Sequence, residues 1–78
     1  MSPAIYRERG FKFFFYSNEE RRLHVHVVGQ EGETKFWIEP RIELVSSYNL
    51  TDKELSRLES SVKEHEDEIR KAWRRHFG

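Results

Sequence analysis

Two histidines one residue apart, His24 and His26, form the most suggestive local pattern in the sequence. On a β-strand, residues i and i+2 point to the same face, with Cα atoms about 6.5–7 Å apart. Both imidazoles could therefore reach one divalent metal ion and support metal-dependent hydrolysis. A metal site needs further ligands, for which Glu20, Glu33 and Glu39 are the candidates. Two ligands alone do not make a site, so we predict no metal and no cofactor and keep metal-dependent hydrolysis as an alternative.

Nucleophilic catalysis has no better support in the residue pattern. The serines do not fall in a nucleophile-elbow pattern, and the sequence contains no glycine-rich phosphate loop. His65 falls on the apolar stripe of a predicted helix, where a partly buried histidine hydrogen-bonded to a neighbour is more common than a general base. We therefore predict no catalytic residues, and we favour a non-enzymatic protein over an enzyme.

The secondary structure that positions these side chains is predicted to change from strands to a helix near Asn49. Before it, apolar residues alternate with a period of two, and after it they follow a helical period. The alternation predicts strands at 11–16, 22–28 and 33–39, with 41–46 as a candidate fourth strand and 4–7 as a weaker edge strand.

The turn at 29–32 sets the expected register of the second and third of these strands. With Gly29 opposite Gly32, His26 lies opposite Lys35. The same register places His24 opposite Trp37. The register of the first two strands is less constrained, because a longer loop joins them. Pairing their apolar residues places Phe13 beside Val25 and Phe14 beside His24.

The helix is predicted over 52–77. Thr51 and Glu54 have the spacing of a capping box at its start. An apolar stripe then repeats at alternating steps of three and four residues. The basic cluster near the chain end, with Trp73 and Phe77, is interpreted as a complement to the helix dipole plus two packed aromatics. The expected fold is α+β, a small antiparallel sheet of three to four strands packed on one long C-terminal helix, forming a single domain over 1–78.

The sheet face that does not carry the apolar core collects large aromatics and cations. We take the following residues as binding candidates: Phe14, Tyr16, Arg22, His24, His26, Lys35 and Trp37. Aromatics among cations anchor protein interfaces, and they also stack bases and hold phosphates in single-stranded nucleic acids. A third interpretation is that the N-terminal segment or the stretch 41–50 covers this face.

The composition bears on the choice between these partners. The 78 residues carry 14 Lys and Arg against 14 Asp and Glu, so the formal net charge is zero. This balance excludes a chain that coats nucleic acid by bulk charge, and it favours a protein partner with nucleic acid as the alternative. The chain has no cysteine, no membrane-length apolar run and no signal-peptide pattern. We expect a cytoplasmic protein that is a monomer or a weak homodimer.

Three stretches of the chain resemble a family of small bacterial and archaeal proteins, the domain of unknown function DUF4160. They are the aromatic run at 10–19, the His-x-His-Val motif at 24–27 and the Lys-Phe-Trp-Ile-Glu-Pro motif within 34–40. The helix end with Ala72, Trp73 and Phe77 is similar too.

The resemblance implies a bacterial or archaeal cytoplasmic protein and no established activity. Such proteins are loosely associated with toxin–antitoxin-like two-gene cassettes, which implies a protein partner. Members often carry a His and a Pro pair before the His-x-His motif, where this chain has Glu20, Arg21, Arg22 and Leu23. If the family's histidines bind a metal, this member therefore lacks one nitrogen ligand, although Glu20 could substitute through oxygen.

We therefore interpret the chain as a non-enzymatic protein-interaction module. A single-stranded nucleic-acid binder and a metal-dependent hydrolase that uses His24 and His26 remain the alternatives.

Overall fold

The computed structural model of the chain describes residues 4–16 and 21–77. The fold is α+β, as the sequence predicts, but it has five strands and two helices instead of three to four strands and one helix. The antiparallel sheet has the order β1-β2-β3-β4-β5. The elements are β1 (Ala4–Glu8), β2 (Phe11–Phe14), β3 (His24–Val28), β4 (Glu33–Trp37), β5 (Glu43–Tyr48), α1 (Asp52–Glu64) and α2 (Glu66–Phe77).

The two helices pack on one face of the sheet and close the hydrophobic core. Alternate side chains of β2, β3 and β4 meet apolar side chains of both helices there. The core is made of Phe13, Phe15, Leu23, Val25, Val27, Phe36, Ile38, Leu58, Val62 and Ile69. No helix among the described residues is long and apolar enough to cross a membrane.

The predicted register of β3 and β4 is confirmed. His26 lies opposite Lys35, and His24 lies opposite Trp37. The 29–32 turn closes with a hydrogen bond of 2.9 Å from the Gly29 N–H to the Gly32 carbonyl. A short turn of defined geometry leaves the two strands only one pairing.

The predicted register of β2 and β3 is wrong by two residues. Phe13 lies opposite Val27 instead of Val25, and Phe14 lies opposite His26 instead of His24. The ring of Phe11 lies so close to Gly29 that a side chain at that glycine would collide with it. This contact fixes the register, and a shift of two residues leaves every side chain on its predicted face.

The sheet is wider than expected because both edges carry a full strand. β1 is confirmed at one edge, joined to β2 by a turn in which Arg9 and Gly10 have positive φ angles of 52° and 84°. β5 occupies the other edge two residues later than the predicted 41–46, and it contains a register shift opposite Lys35 and Phe36. Neither edge strand lies over the sheet, which corrects the interpretation that 41–50 or the described part of the N-terminal segment covers it.

The predicted helix over 52–77 is divided at His65, which has a φ of −104° and a ψ of 17°. No pattern in the sequence indicates this joint, because the apolar stripe continues through it. The capping box is confirmed at the start of α1, where the Glu54 N–H donates to the Thr51 hydroxyl and the Thr51 N–H donates to the Glu54 carboxylate. The observed strands β2, β3 and β4 are also shorter than their predicted ranges.

Candidate functional site

The face of the sheet that is turned away from the helices is called here the second face. The strand registers bring its predicted residues together, because Phe14, His26 and Lys35 are direct cross-strand neighbours. His24 and Trp37 form the next row. The strand pairing therefore places these five candidates on one face of the sheet, as the alternation of strand side chains predicts.

Three aromatic rings of the second face contact one another at the β2 side. The ring centroids of Phe14 and Tyr16 are 4.9 Å apart, and those of Tyr16 and His26 are 4.5 Å apart. Phe14 and His26 are separated by 5.7 Å. Phe14 is only 8% exposed, whereas Tyr16 is 50% exposed. Tyr16 thus presents a large, rigid ring to solvent on a base formed by the other two.

His24 is fully buried, unlike the solvent-facing histidine that a surface strand would show. Its ring centroid lies 5.1 Å from that of His26, 5.9 Å from Trp37 and 5.3 Å from Trp73 of α2. Its Nδ1 lies 2.6 Å from the Arg22 carbonyl oxygen, and since a carbonyl only accepts, the Nδ1–H donates. The His24 ring is therefore covered by neighbouring side chains and does not reach solvent.

Trp37 holds two cations beside its ring. The Arg22 guanidinium carbon lies 3.9 Å from the ring centroid, and the Lys35 Nζ lies 4.6 Å from it. The Arg22 Nε–H also donates to the Glu39 carbonyl oxygen at 2.9 Å. Cation–π contacts of this kind orient long side chains that would otherwise sample many rotamers. The positive charge at this end of the face is therefore held in a defined place.

The second face extends beyond the candidates that the sequence identifies. A depression of about 360 Å³ runs from Phe14 and Tyr16 across His26 to Ser46 and Tyr48 of β5. The predicted fourth strand ends at 46, so the sequence analysis missed Tyr48, although it is 70% exposed. Extending the strand alternation past Ser46 would have placed Tyr48 on this face.

Lys12 borders the same face on the β2 side. Its Nζ lies 5.0 Å from the centroid of the Phe14 ring. Together with Arg22 and Lys35, it surrounds the rings with cations on two sides. The surface therefore combines aromatic rings with a border of charged groups that is mostly positive and includes the Glu33 carboxylate, which is the anatomy of a polar-rimmed interface.

The metal-site alternative receives no third ligand from the described residues. Residues 4–16 and 21–77 contain no group of three His, Cys, Asp or Glu side chains that could hold a metal ion. Glu39 binds Arg70 instead, with 2.6 Å between its Oε2 and the arginine Nη1. Glu33 is paired with Val28 in a different row from both histidines. Glu20 lies outside the described residues.

A second polar cluster lies at the joint between α1 and α2. The buried Ser61 hydroxyl donates to Glu8 at 3.1 Å, so the Tyr6 hydroxyl, 3.0 Å away, donates to Ser61. His65 stacks on Tyr6 with 3.9 Å between ring centroids, and its Nδ1–H donates to the Ser61 carbonyl at 2.8 Å. Burial raises the pKa of Tyr6 well above its ordinary value. This cluster ties β1 to the helices, and His65 is partly buried and hydrogen-bonded as the sequence predicts.

At the chain end, Trp73 packs on the core as the sequence analysis favours, whereas Phe77 is 38% exposed and Arg70 forms ion pairs instead of complementing the helix dipole. The Trp73 ring packs on Phe15 at 5.1 Å and on Phe77 at 4.2 Å. Arg70 donates to the carboxylates of Glu39 and Glu66, and these hydrogen bonds raise its pKa. α2 is thus attached both to the core and to the end of β4.

One comparison with known proteins finds a protein family that this chain matches. Residues 10–74 match the family described as "Domain of unknown function (DUF4160)". No curated protein and no solved structure matches the chain. The matched range includes every residue of the candidate site from Phe14 to Trp37.

Proposed function

This chain belongs to the DUF4160 family, and we propose that it is a non-enzymatic module that binds a partner protein through the second face of its sheet. The observation that carries the proposal is the chain of ring contacts that runs from Phe14 and Tyr16 through His26 and His24 to Trp37, whose ring is contacted by Arg22 and Lys35. The proposal includes a bacterial or archaeal cytoplasmic setting and a toxin–antitoxin-like cassette, which rest on the family resemblance.

The arrangement of the rings favours a protein partner over nucleic acid. Base stacking needs exposed ring faces, each worth about 1–3 kcal/mol per base. Phe14 is nearly buried, and the ring of Trp37 is approached by both Arg22 and Lys35. These rings are therefore occupied in holding cations. Exposed tyrosines beside arginine and lysine are typical anchors of protein interfaces.

Single-stranded nucleic acid remains the second candidate, since Lys12, Arg22 and Lys35 could neutralise phosphates. Binding of that kind weakens steeply with salt, because counterions are released from the phosphates. Short oligonucleotides titrated at two salt concentrations therefore test this candidate. Metal-dependent hydrolysis by His24 and His26 is tested by metal analysis of protein purified without a tag or chelator.

A co-purification from the native host tests the proposed function. The baits are the wild-type chain, Trp37→Ala, Tyr16→Ala and a control, Arg57→Ala, whose residue is exposed on α1. Each lysate is divided into nuclease-treated and untreated halves, and circular dichroism confirms that every bait folds. Tyr16→Ala removes an exposed ring, so it keeps the test valid if Trp37→Ala fails to fold.

The expected result is a specific protein that the wild-type and Arg57→Ala baits retain after nuclease treatment. Folded second-face variants should lose it. A folded Trp37→Ala and a folded Tyr16→Ala bait that both retain the protein would contradict the proposal. Retention that disappears with nuclease would support the nucleic-acid candidate instead.

A further inference from the structure

The strand registers arrange the side chains of the second face in rows that cross the sheet. The row nearest the 29–32 turn contains, from β1 to β5, Arg7, Lys12, Val28, Glu33 and Tyr48. The next row contains Ala4, Phe14, His26, Lys35 and Ser46. In both rows the middle position belongs to β3, which is the central strand of five.

We propose that the second face binds a second copy of this chain, with a two-fold axis parallel to β3 between the two sheets. The proposal rests on the proposed function and names its partner. Rotation about this axis turns each row end for end, so that β2 of one copy lies over β4 of the other. Strand directions stay aligned, as they do in packed sheets about 10 Å apart.

Charge complementarity in the first row supports this symmetry. Lys12 of one copy lies over Glu33 of the other, and the symmetry repeats this opposite-charge pair. Val28 lies over its own symmetry mate, which places an apolar contact at the axis. Arg7 lies over the exposed ring of Tyr48, where a cation is favourable.

The contacts of the second row, and a comparison with a two-fold axis perpendicular to the strands, support this assignment. In the second row, Lys35 of one copy lies over the nearly buried, uncharged Phe14 of the other, so this row brings no two lysines together. An axis perpendicular to the strands would instead exchange the rows and place Glu33 over Trp37. A carboxylate over the negative face of an aromatic ring is unfavourable. The axis parallel to β3 is therefore the one that pairs Lys12 with Glu33, while the two β3 positions, Val28 and His26, lie over their own symmetry mates.

The size of the face predicts a weak dimer. Five strands about 4.8 Å apart and about five residues long give a footprint of roughly 400 Å². A standard stable interface buries about 800 Å² per partner. We therefore expect reversible association with a dissociation constant of about 1 μM or weaker.

Charge-reversal variants of Lys12 and Glu33, the two residues that pair across the axis, test the proposal. The molar mass of the untagged chain is measured by analytical ultracentrifugation from about 5 μM to 1 mM. The variants are Lys12→Glu, Glu33→Lys, the double variant and Arg57→Glu. The last makes the same charge change as Lys12→Glu, at a position on α1. Each single second-face change should weaken dimerisation by about tenfold or more, because like charges then meet twice.

The expected result is a concentration-dependent dimer in the wild type and in Arg57→Glu. It should be weakened in both single variants and restored in the double variant. A chain that stays monomeric to 1 mM would overturn the proposal, as would a dimer that neither single change weakens. Neither of those results would refute the proposed function if a different protein is still retained by the wild-type bait and lost from Tyr16→Ala.

Discussion

The two faces of the sheet are built from the same strands but are buried in different ways. On the core face, Val25, Val27 and Phe36 are fully buried beneath the helices. On the second face, the neighbouring residues Lys35 and Trp37 are only partly buried, by contacts with other side chains of that face. The difference teaches that core-face residues serve folding, whereas the exposed and partly exposed residues of the second face can be changed at small cost to the fold.

The largest expected effect comes from two adjacent residues on opposite faces of β4. Phe36→Ala should lower the free energy of unfolding by about 3–5 kcal/mol, because it leaves a cavity in the core. Trp37→Ala should lower it by about 1–2 kcal/mol, since it removes contacts with Arg22 and Lys35 on a partly exposed ring. Urea unfolding followed by circular dichroism measures both values. Equal losses for the two variants would remove the distinction between the faces.

Two tyrosines give the next contrast. Tyr6→Phe should lower the free energy of unfolding by about 1 kcal/mol, because it removes the hydrogen bond to Ser61 inside the cluster at the helix joint. Tyr16→Phe should leave stability within about 0.5 kcal/mol of the wild type, since Tyr16 is half exposed. The same urea measurement applies. A larger loss for Tyr16→Phe would show that the second face contributes more to folding than the helix joint does.

The dependence of stability on alkaline pH gives a further test of the role of Tyr6 at the helix joint. Burial raises the pKa of Tyr6 above the value of about 10 that it has in the unfolded chain. The folded state therefore favours the protonated phenol, and this stabilisation is present below about pH 10 and is lost as pH rises toward the folded pKa. Between pH 9 and pH 11, stability should fall more in the wild type than in Tyr6→Phe. Parallel pH profiles for the two proteins would contradict this assignment.

The smallest effect is expected where α2 is attached to the end of β4. Arg70→Gln should lower the free energy of unfolding by about 0.2–1 kcal/mol, because its ion pairs with Glu39 and Glu66 are partly exposed. The loss should shrink further in 1 M salt, which screens such pairs. Thermal unfolding at low and high salt measures it. A loss of more than about 2 kcal/mol in the free energy of unfolding would show that these ion pairs contribute as much to stability as core contacts do.

Much of this architecture can be predicted from short-range patterns. The 29–32 turn fixes the β3–β4 register, and that register alone brings Trp37 beside His24. Alternation assigns side chains to faces correctly even where the β2–β3 register is two residues off. The capping box likewise predicts where α1 begins.

The remaining features depend on contacts between residues distant in the chain. The β2–β3 register depends on Phe11 packing on Gly29, which no local pattern indicates. At the helix joint, His65 stacks on Tyr6, almost sixty positions earlier in the chain. Trp73 of α2 contributes to the burial of His24. Strand and helix periods cannot show these contacts, because they arise only when the layers pack.

Site-specific photo-cross-linking in the native host tests the central claim most directly. A photoreactive phenylalanine analogue replaces Tyr16 on the second face or, as the control, Arg57 on α1. We predict a covalent adduct with a protein, either a partner or a second copy of the chain, from position 16 and none from position 57. An adduct with a protein from position 57 only, or with nucleic acid from position 16, would contradict the assignment of the second face as a protein-binding surface.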